Sequence, residues 1–556
     1  MKASETARRW IALLPGRSDL ASIRRSPGRD LLAGLTVAVV ALPLALGFGV
    51  ASGLGAAAGL ATAIVAGALA AIFGGSDYQV SGPTGAMTVV LVPIVATYGP
   101  GGVLTVGLLA GILLIGLALA RAGRFVRYIP APVVEGFTVG IAAVIFLQQV
   151  PAALGVEPGT GENTAITAGR AVLDFASAPQ WTSLALAAGV AAIMLVGARV
   201  LPRLPFSLIA VVVATIVCVL AGLDTALIGA LPATLPAPSL DFLDVTAVPD
   251  LAGAAVAVAA LAALESLLSA TVADGMTVGS RHDPDRELFG QGLANLAAPL
   301  FGGVPATAAI ARTAVNVRSG ASSRLAALTH AVVLALILLV AAPLVSQIPL
   351  AALAGVLLAT AIRMVEVGSV RVLARASRSD ALILALTAGV TIAVDLMWAV
   401  VCGLVVAGGL ALRKIARAAR VETVPLDEDH HVAEHALLAE HIVAYRIEGP
   451  LFFAAAHRFL LTLSRHADIR VVIIRLSRVS AIDGTGALVL RDAIDKLEHR
   501  GVTVYLSGMR SEHERTLAAV GILDRFVTGT ARFDSTPAAI EAARRHLTAA
   551  GLVPTT

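Results

Sequence analysis

Long apolar runs, separated by short polar or basic breaks, occupy most of the chain. They include Leu31–Gly55, Gly102–Ala120, Trp181–Ala198, Phe206–Ala221, Leu251–Ala273, Leu325–Val345, Ala381–Val394 and Met397–Leu412. Runs of about 15 to 25 apolar residues suffice for helices crossing roughly 30 Å of hydrocarbon. Shorter segments interrupted by Gly or Pro fill the gaps, and the whole predicts about fourteen crossings. After Arg420 the period changes. "HIVAYRIEG", "VVIIRL" and "VTVYLS" read as strands, and "GALVLRDAIDKLEHRG" as a helix between them. The pattern predicts a polytopic α-helical membrane domain over 30–420, preceded by a segment 1–29. A polar linker over 421–435 and a small α/β domain over 436–556 follow.

The apolar pattern repeats. "AGLTVAVVALPLALG" from Ala33 resembles "AGAAVAVAALAALES" from Ala252, and each is followed by a Phe-Gly-Gly, at Phe73–Gly75 and Phe301–Gly303. Next come the broken segments "SGPTGAMTVV" and "VPATAAIARTAV". With an odd number of spans between equivalents, the second copy enters the membrane from the opposite face, as in an inverted repeat. Proline fits the first turn of a helix, where its missing N–H costs nothing. Pro83 and Pro305 are therefore expected at the starts of two half-helices. Each such start exposes unpaired N–H groups and about half a positive charge, and two of them facing one another form an anion site.

Composition and charge sharpen this picture. The 556 residues are 57% hydrophobic and 14% charged, and the net charge is +4. Soluble domains carry about a quarter charged residues, so a membrane protein is indicated. Arg8, Arg9, Arg17, Arg24, Arg25 and Arg29 precede the first run, and Arg413, Lys414, Arg417 and Arg420 follow the last. Short basic loops stay in the cytoplasm, so both termini are expected inside, with the protein multi-pass in the cell membrane. Basic breaks (Arg121, Arg124 and Arg127; Arg199 and Arg203; Arg318 and Arg324) alternate with acidic ones (Glu157, Glu162 and Asp174; Asp241, Asp244 and Asp250). No cleavable signal segment is expected at the start. Cys218 and Cys402 sit in apolar runs, where thiols act as small hydrophobes. Lys2, Lys414 and Lys496 are the only lysines and none lies in a Walker A context, which argues against ATP-driven pumping. No enzyme activity, cofactor, metal or nucleic-acid partner is expected.

Two charges fall inside apolar runs. Arg312 in "PATAAIARTAVN" costs roughly 3 kcal/mol at a membrane centre, so it either strengthens the field at the helix start or snorkels outward with Arg318. Glu265 in "AVAALAALESLLSATVADG" is a candidate proton carrier or cation ligand, or a neutral hydrogen-bonding group. Ser269, four residues on, shares its helix face. Glu135, Asp274, Gln291 and Asn295 read as structural. His430, His431 and His435 read as a solvated linker. In the terminal domain, Asp483-Gly484-Thr485-Gly486 lies between a strand and a helix, where Thr485 either accepts a phosphate or caps the helix.

The stretches "DLLAGLTVAVVALPLALGFG", "FGGSDYQVSGPTGA" and "RHDPDRELFGQGLANLAAPLFGGVPATAAIARTAVNVRSG" resemble the SulP (sulfate permease) family of anion transporters. The domain containing "AIDGTGAL" is similar to a STAS domain. The resemblance implies a seven-plus-seven inverted repeat with core and gate domains, homodimers, and transport by elevator-type alternating access. It places substrate against Leu44 and Phe48, against Gly82, Pro83, Thr84, Gly85 and Ala86, and against Ala306, Thr307, Ala311 and Arg312. It assigns coupling to Glu265 and Ser269, with a proton or Na+, and regulation to Asp483 and Thr485, with a cytoplasmic protein as a partner of the terminal domain. Sulfate, bicarbonate and small dicarboxylates all remain open as substrates. Leu44 and Ala311 replace hydrogen-bonding residues frequent in sulfate-type members. A Na+-coupled bicarbonate symporter and an uncoupled exchanger or channel are the alternatives.

Overall fold

The computed structural model describes residues 13–157, 164–201, 204–277, 281–394, 396–418, 420–424, 441–451, 469–526 and 530–552. His430, His431 and His435, most of the expected linker, and Arg8, Arg9 and Glu162 lie outside the described residues. The chain divides into two units, Met1–Leu404 and Val405–Thr556.

Among the described residues, the regular elements of the first unit are helices apart from two very short strands, with a non-helical stretch over 221–244. A short amphipathic helix α1 (Arg17–Arg25) leads into α2 (Pro27–Ala51) and α3 (Ala56–Phe73). Strand β1 (Ser81–Gly82) then precedes α4 (Gly85–Leu119), which Gly99 breaks at φ +68° just before Pro100. Only glycine adopts that backbone at no steric cost, so α4 is two helices joined at a corner. Helices α5 (Ala131–Leu154), α6 (Thr164–Ser177), α7 (Trp181–Val200) and α8 (Phe206–Leu220) complete the first series. The second opens with α9 (Val248–Met276) and α10 (Pro284–Ala297), then strand β2 (Thr307–Ala308) and α11 (Ile310–Arg318). It continues through α12 (Leu325–Val345), α13 (Leu350–Met364), α14 (Val367–Ala376), α15 (Arg378–Ala393) and α16 (Leu396–Ala418), of which residues from Val405 on fall in the second unit. Among the described residues, eight helices are long and apolar enough to span a membrane, the bent α4 counting once.

The two series pack as counterparts. Helix α2 lies along α12, and α9 along α4; α5 lies along α15, and α13 along α7. Helix α5 starts after Pro130 (φ −67°, ψ 139°) and α13 after Pro349 (φ −68°, ψ 138°), each preceded by an isoleucine. Six residues on, a Cβ at Gly136 would stand 2.5 Å from the Leu384 carbonyl oxygen of α15. One at Gly355 would stand 2.4 Å from that of Ala187 in α7. Both helix crossings thus need glycine at the same offset, in keeping with the small residues that let membrane helices approach closely.

In the second unit, strands β3 (Arg420–Val424), β4 (Ile442–Leu451), β5 (Val471–Arg475), β6 (Val479–Ile482), β7 (Thr503–Ser507) and β8 (Arg532–Phe533) form one sheet. Its order is β3-β4-β5-β7-β8, with β6 beside β4. All pairings are parallel except β3 with β4. Helices α17 (Gly484–His499), α18 (Ser511–Ala519) and α19 (Thr536–Ala549) cover the sheet. Alternate residues of β4, β5 and β7 face two separate apolar clusters, one with α17 and one with α19. Such two-sided burial explains the near-continuous apolar runs of the parallel strands. One expectation needs correcting. Residues 420–424, read as basic stretch and linker, form β3, with Val421 opposite Ile447 and Val424 opposite Ala444; edge pairing with β4 outweighs the polar composition.

Candidate functional site

The two interrupted segments meet inside the first unit. Strands β1 and β2 pair antiparallel, Ser81 opposite Ala308 and Gly82 opposite Thr307. Each strand runs straight into a helix start, so this register brings the starts of α4 and α11 together about a local two-fold axis. It equates Ser81 with Thr307 and Pro83 with Ala309. Neither proline occupies the first helical position expected for it. Thr84 is the N-cap of α4 and Pro83 precedes it, while Pro305 lies upstream of β2, and Ala309 caps α11 with no side-chain bond. The β pair sets where each helix starts: Pro83 follows β1 and Pro305 precedes β2, so the prolines flank the strands on opposite sides.

The helix starts carry open donors. Thr84 accepts weakly from the Met87 amide at 3.4 Å. No described hydrogen bond occupies the amides of Gly85, Ala86, Ile310, Ala311 or Arg312. Phe48 of α2, 7% exposed, lies against Gly85, and Leu44 is buried one turn earlier. Gly82, Pro83, Gly85 and Ala86 are all buried, whereas Ile310 and Ala311 are exposed. The paired helix starts therefore sit in an apolar surrounding with access from the α11 side.

Arg312 does not reach outward. It is 1% exposed and stands in the first turn of α11, and its Nη2 donates to the Pro83 carbonyl of the other repeat at 2.8 Å. Its Nη1 is buried without a partner. Gly82, at φ +154°, makes room for it, since a Cβ there would stand 2.6 Å from that nitrogen. A buried, unpartnered guanidinium N–H beside open amides favours a negatively charged ligand. Glu265 of α9 faces the same place from the other side: the Thr84 hydroxyl donates to its Oε2 at 2.9 Å. Among the described ion pairs none joins Glu265 to Arg312, so the carboxyl and the guanidinium bracket the site separately.

The other candidates divide into contributors and supports. Ser269 donates to Thr313 Oγ1 at 3.0 Å, and that same oxygen accepts the Val80 amide at 3.2 Å. Ser269 thus holds α9, α11 and the approach to β1 together and makes no described bond with Glu265. Thr307 binds the Ser266 hydroxyl at 2.9 Å and the Ala262 carbonyl at 3.2 Å, so its hydroxyl faces α9. Asn295 takes both backbone groups of Ala306, at 2.8 and 2.9 Å. Ala306 therefore lies short of the helix start and presents neither group to it. Gln291 donates to Ser81 Oγ at 2.5 Å and to Glu287 Oε1 at 3.1 Å, and Glu287 in turn accepts the Gly75 amide at 2.9 Å. Sequence reading treats Gln291 and Asn295 as helix pins; here they pin the strands that position the site. Thr313 and Ser266 escape sequence reading, and the polar spacing along α9 hints at Ser266 alone. Glu135 accepts from Ser369 at 2.6 Å, and Asp274 from the His282 ring at 2.7 Å, both structural contacts. In the second unit Asp483, not Thr485, caps α17, accepting the Gly486 amide at 2.6 Å. Thr485 is exposed on the first turn.

Residues 28–387 match the sulfate permease family and residues 436–538 the STAS domain. The chain is 36% identical to the putative sulfate transporter YvdB of Bacillus subtilis, over 89% of this chain and 94% of that protein. It is 31% identical to the bicarbonate transporter BicA of a Picosynechococcus strain, over 89% and 91% of the two chains. The solved structure of the murine Slc26a9 anion transporter superposes with a TM-score of 0.80, covering 93% of this chain and 91% of that one at 18% identity, a likeness of fold. The chain belongs to the sulfate permease family of membrane-spanning sulfate and bicarbonate transporters, and it carries a STAS domain after its membrane-spanning part.

Proposed function

We propose that the protein is a secondary active transporter that binds a small anion between the starts of α4 and α11 and carries it across the cell membrane with a coupling proton. The carrying observation is the β1–β2 pair, which aims the open amides of two repeats and the unpartnered Nη1 of Arg312 at one place. Glu265 is the coupling group. Its carboxyl hydrogen-bonds the cap of α4, so its charge bears directly on a bound anion. In this reading fourteen helical segments cross the bilayer: α2, α3, the two halves of α4, α5, α7 and α8 of the first series, and α9 to α13, α15 and α16 of the second. The core half (α2 to α4 and α9 to α12) moves against the rest in an elevator motion, the protein works as a homodimer with both termini in the cytoplasm, and the STAS domain receives a cytoplasmic partner.

A Na+-coupled bicarbonate symport is the second reading. Leu44, Phe48 and Ala311 bring no side-chain hydrogen bond to the site, which disfavours the heavy desolvation of a divalent tetrahedral anion. BicA, a bicarbonate transporter, is 31% identical. The test is uptake into proteoliposomes of labelled sulfate, bicarbonate and fumarate, each with and without imposed pH and Na+ gradients. Concentration of one anion against its gradient, driven by the pH step, is expected. Accumulation driven by Na+ alone selects the second reading, and conductive flux without concentration selects an uncoupled channel or exchanger.

A further inference from the structure

The transport reading leaves helix α1 without a role. One face of it is fixed. Asp19, 8% exposed, accepts from Arg286 at 3.2 and 2.7 Å and lies 3.0 Å from Arg324 Nη2. Arg286 is in the first turn of α10, and Arg324 is the N-cap of α12. Burial opposes ionisation of Asp19, but the Arg286 hydrogen bond, the Gly16 amide and the charge of Arg324 outweigh it and hold the carboxyl below the usual carboxylate range. Arg324 also bonds Asp77 and the carbonyls of Ile72 and Gly74. The clamp is thus charged at physiological pH and tied to elements of both repeats.

The opposite face is open. Arg17, Leu20, Ala21, Arg24 and Arg25 are exposed, Leu20 at 56%, and Leu14 just before the helix is exposed as well. Helix α2 begins at Pro27, two residues after α1 ends, and its first lipid-type side chains, Leu31 and Leu32, are 51% and 63% exposed. At about 1.5 Å of rise per residue, these leucines place the hydrocarbon boundary within roughly 10 Å of Arg25 and Arg29. Helix α1 therefore lies at headgroup depth, with arginines beside exposed leucines. That is the arrangement of an interfacial helix on a negatively charged lipid surface.

We propose that the exposed face of α1 binds the headgroups of anionic phospholipids, Arg17, Arg24 and Arg25 pairing with phosphate and Leu20 entering the acyl boundary. The Asp19 clamp then makes this lipid contact part of the core half itself.

The test uses the full chain reconstituted in liposomes of equal phosphatidylcholine and phosphatidylglycerol, followed by native mass spectrometry of retained lipid. The wild type is expected to retain phosphatidylglycerol in excess. Arg17→Gln/Arg24→Gln/Arg25→Gln is expected to lose that excess roughly tenfold or more at unchanged melting temperature, since three exposed charges are removed. Asp19→Asn is expected to keep the excess while loosening a spin label at Leu20→Cys. That label should collide with oxygen rather than with an aqueous nickel chelate in the lipid membrane. Equal lipid retention by the triple variant, or a label in the lipid membrane that meets the chelate rather than oxygen, or meets neither and so is covered by protein, overturns the proposal.

Discussion

Arg312→Ala is expected to reduce anion uptake into proteoliposomes by at least about a hundredfold while leaving the protein folded. The guanidinium does two things at once. Its Nη2 bond to the Pro83 carbonyl ties the start of α11 to that of α4, and its unpartnered Nη1 offers a charged donor to the ligand. Hydrogen bonds to charged groups contribute about 1.5 to 3 kcal/mol each, and about 1.4 kcal/mol is tenfold in affinity. Losing both, together with a full positive charge in a low-dielectric setting, gives the stated size. Arg312→Lys returns the charge but not the two-pronged geometry, so partial recovery is expected. Gly82→Ala tests the same contact from the other strand, because the added methyl needs the space that Nη1 occupies. Uptake of both variants is read against thermal stability in the same membranes. Wild-type uptake by Arg312→Ala would remove the arginine from the site.

The second large effect concerns coupling. Glu265→Gln keeps the side-chain shape, and the amide oxygen accepts the same Thr84 hydroxyl, so the cap of α4 stays in place. What disappears is the proton. The variant is expected to exchange labelled for unlabelled anion at equal pH within about twofold of wild type, since the open amides and Arg312 are untouched, and to lose pH-driven accumulation altogether. Measuring exchange and accumulation on one preparation separates a coupling defect from a damaged site. Unchanged accumulation would show that the proton travels elsewhere.

The long helices were legible because a run of apolar residues has one solution in a bilayer. Strands β4, β5 and β7 of the second unit were legible because they are buried on both faces, whereas the edge strand β3 and the short β6 and β8 were not. Local register at the site was not. Matching Pro83 with Pro305 puts the two repeats out of step by four residues, since Pro83 corresponds to Ala309 in the strand pairing. Two-residue strands carry no periodic signal, and the alanine-rich stretch from Ala306 to Ala311 has no landmark to set its frame. The roles of Asn295 and Gln291 were hidden for a related reason. Gln291 bonds Ser81, 210 residues away in the other repeat, and Asn295 bonds the backbone of Ala306, 11 residues on, at the approach to a strand with no periodic signal. A clearer repeat signal is Ile-Pro at 129–130 and again at 348–349, each followed six residues after the proline by Gly136 or Gly355.

The central claim is that backbone donors from two repeats, held together by β1 and β2, bind the anion. The most direct measurement is a cryo-electron-microscopy map of the full chain in lipid nanodiscs, with the anion selected by the flux panel present at saturation. The claim predicts density between the starts of α4 and α11, within hydrogen-bond reach of the Gly85 or Ala86 amide, the Ile310 or Ala311 amide and Arg312. Density for the anion anywhere else, with those amides facing only water, would contradict it.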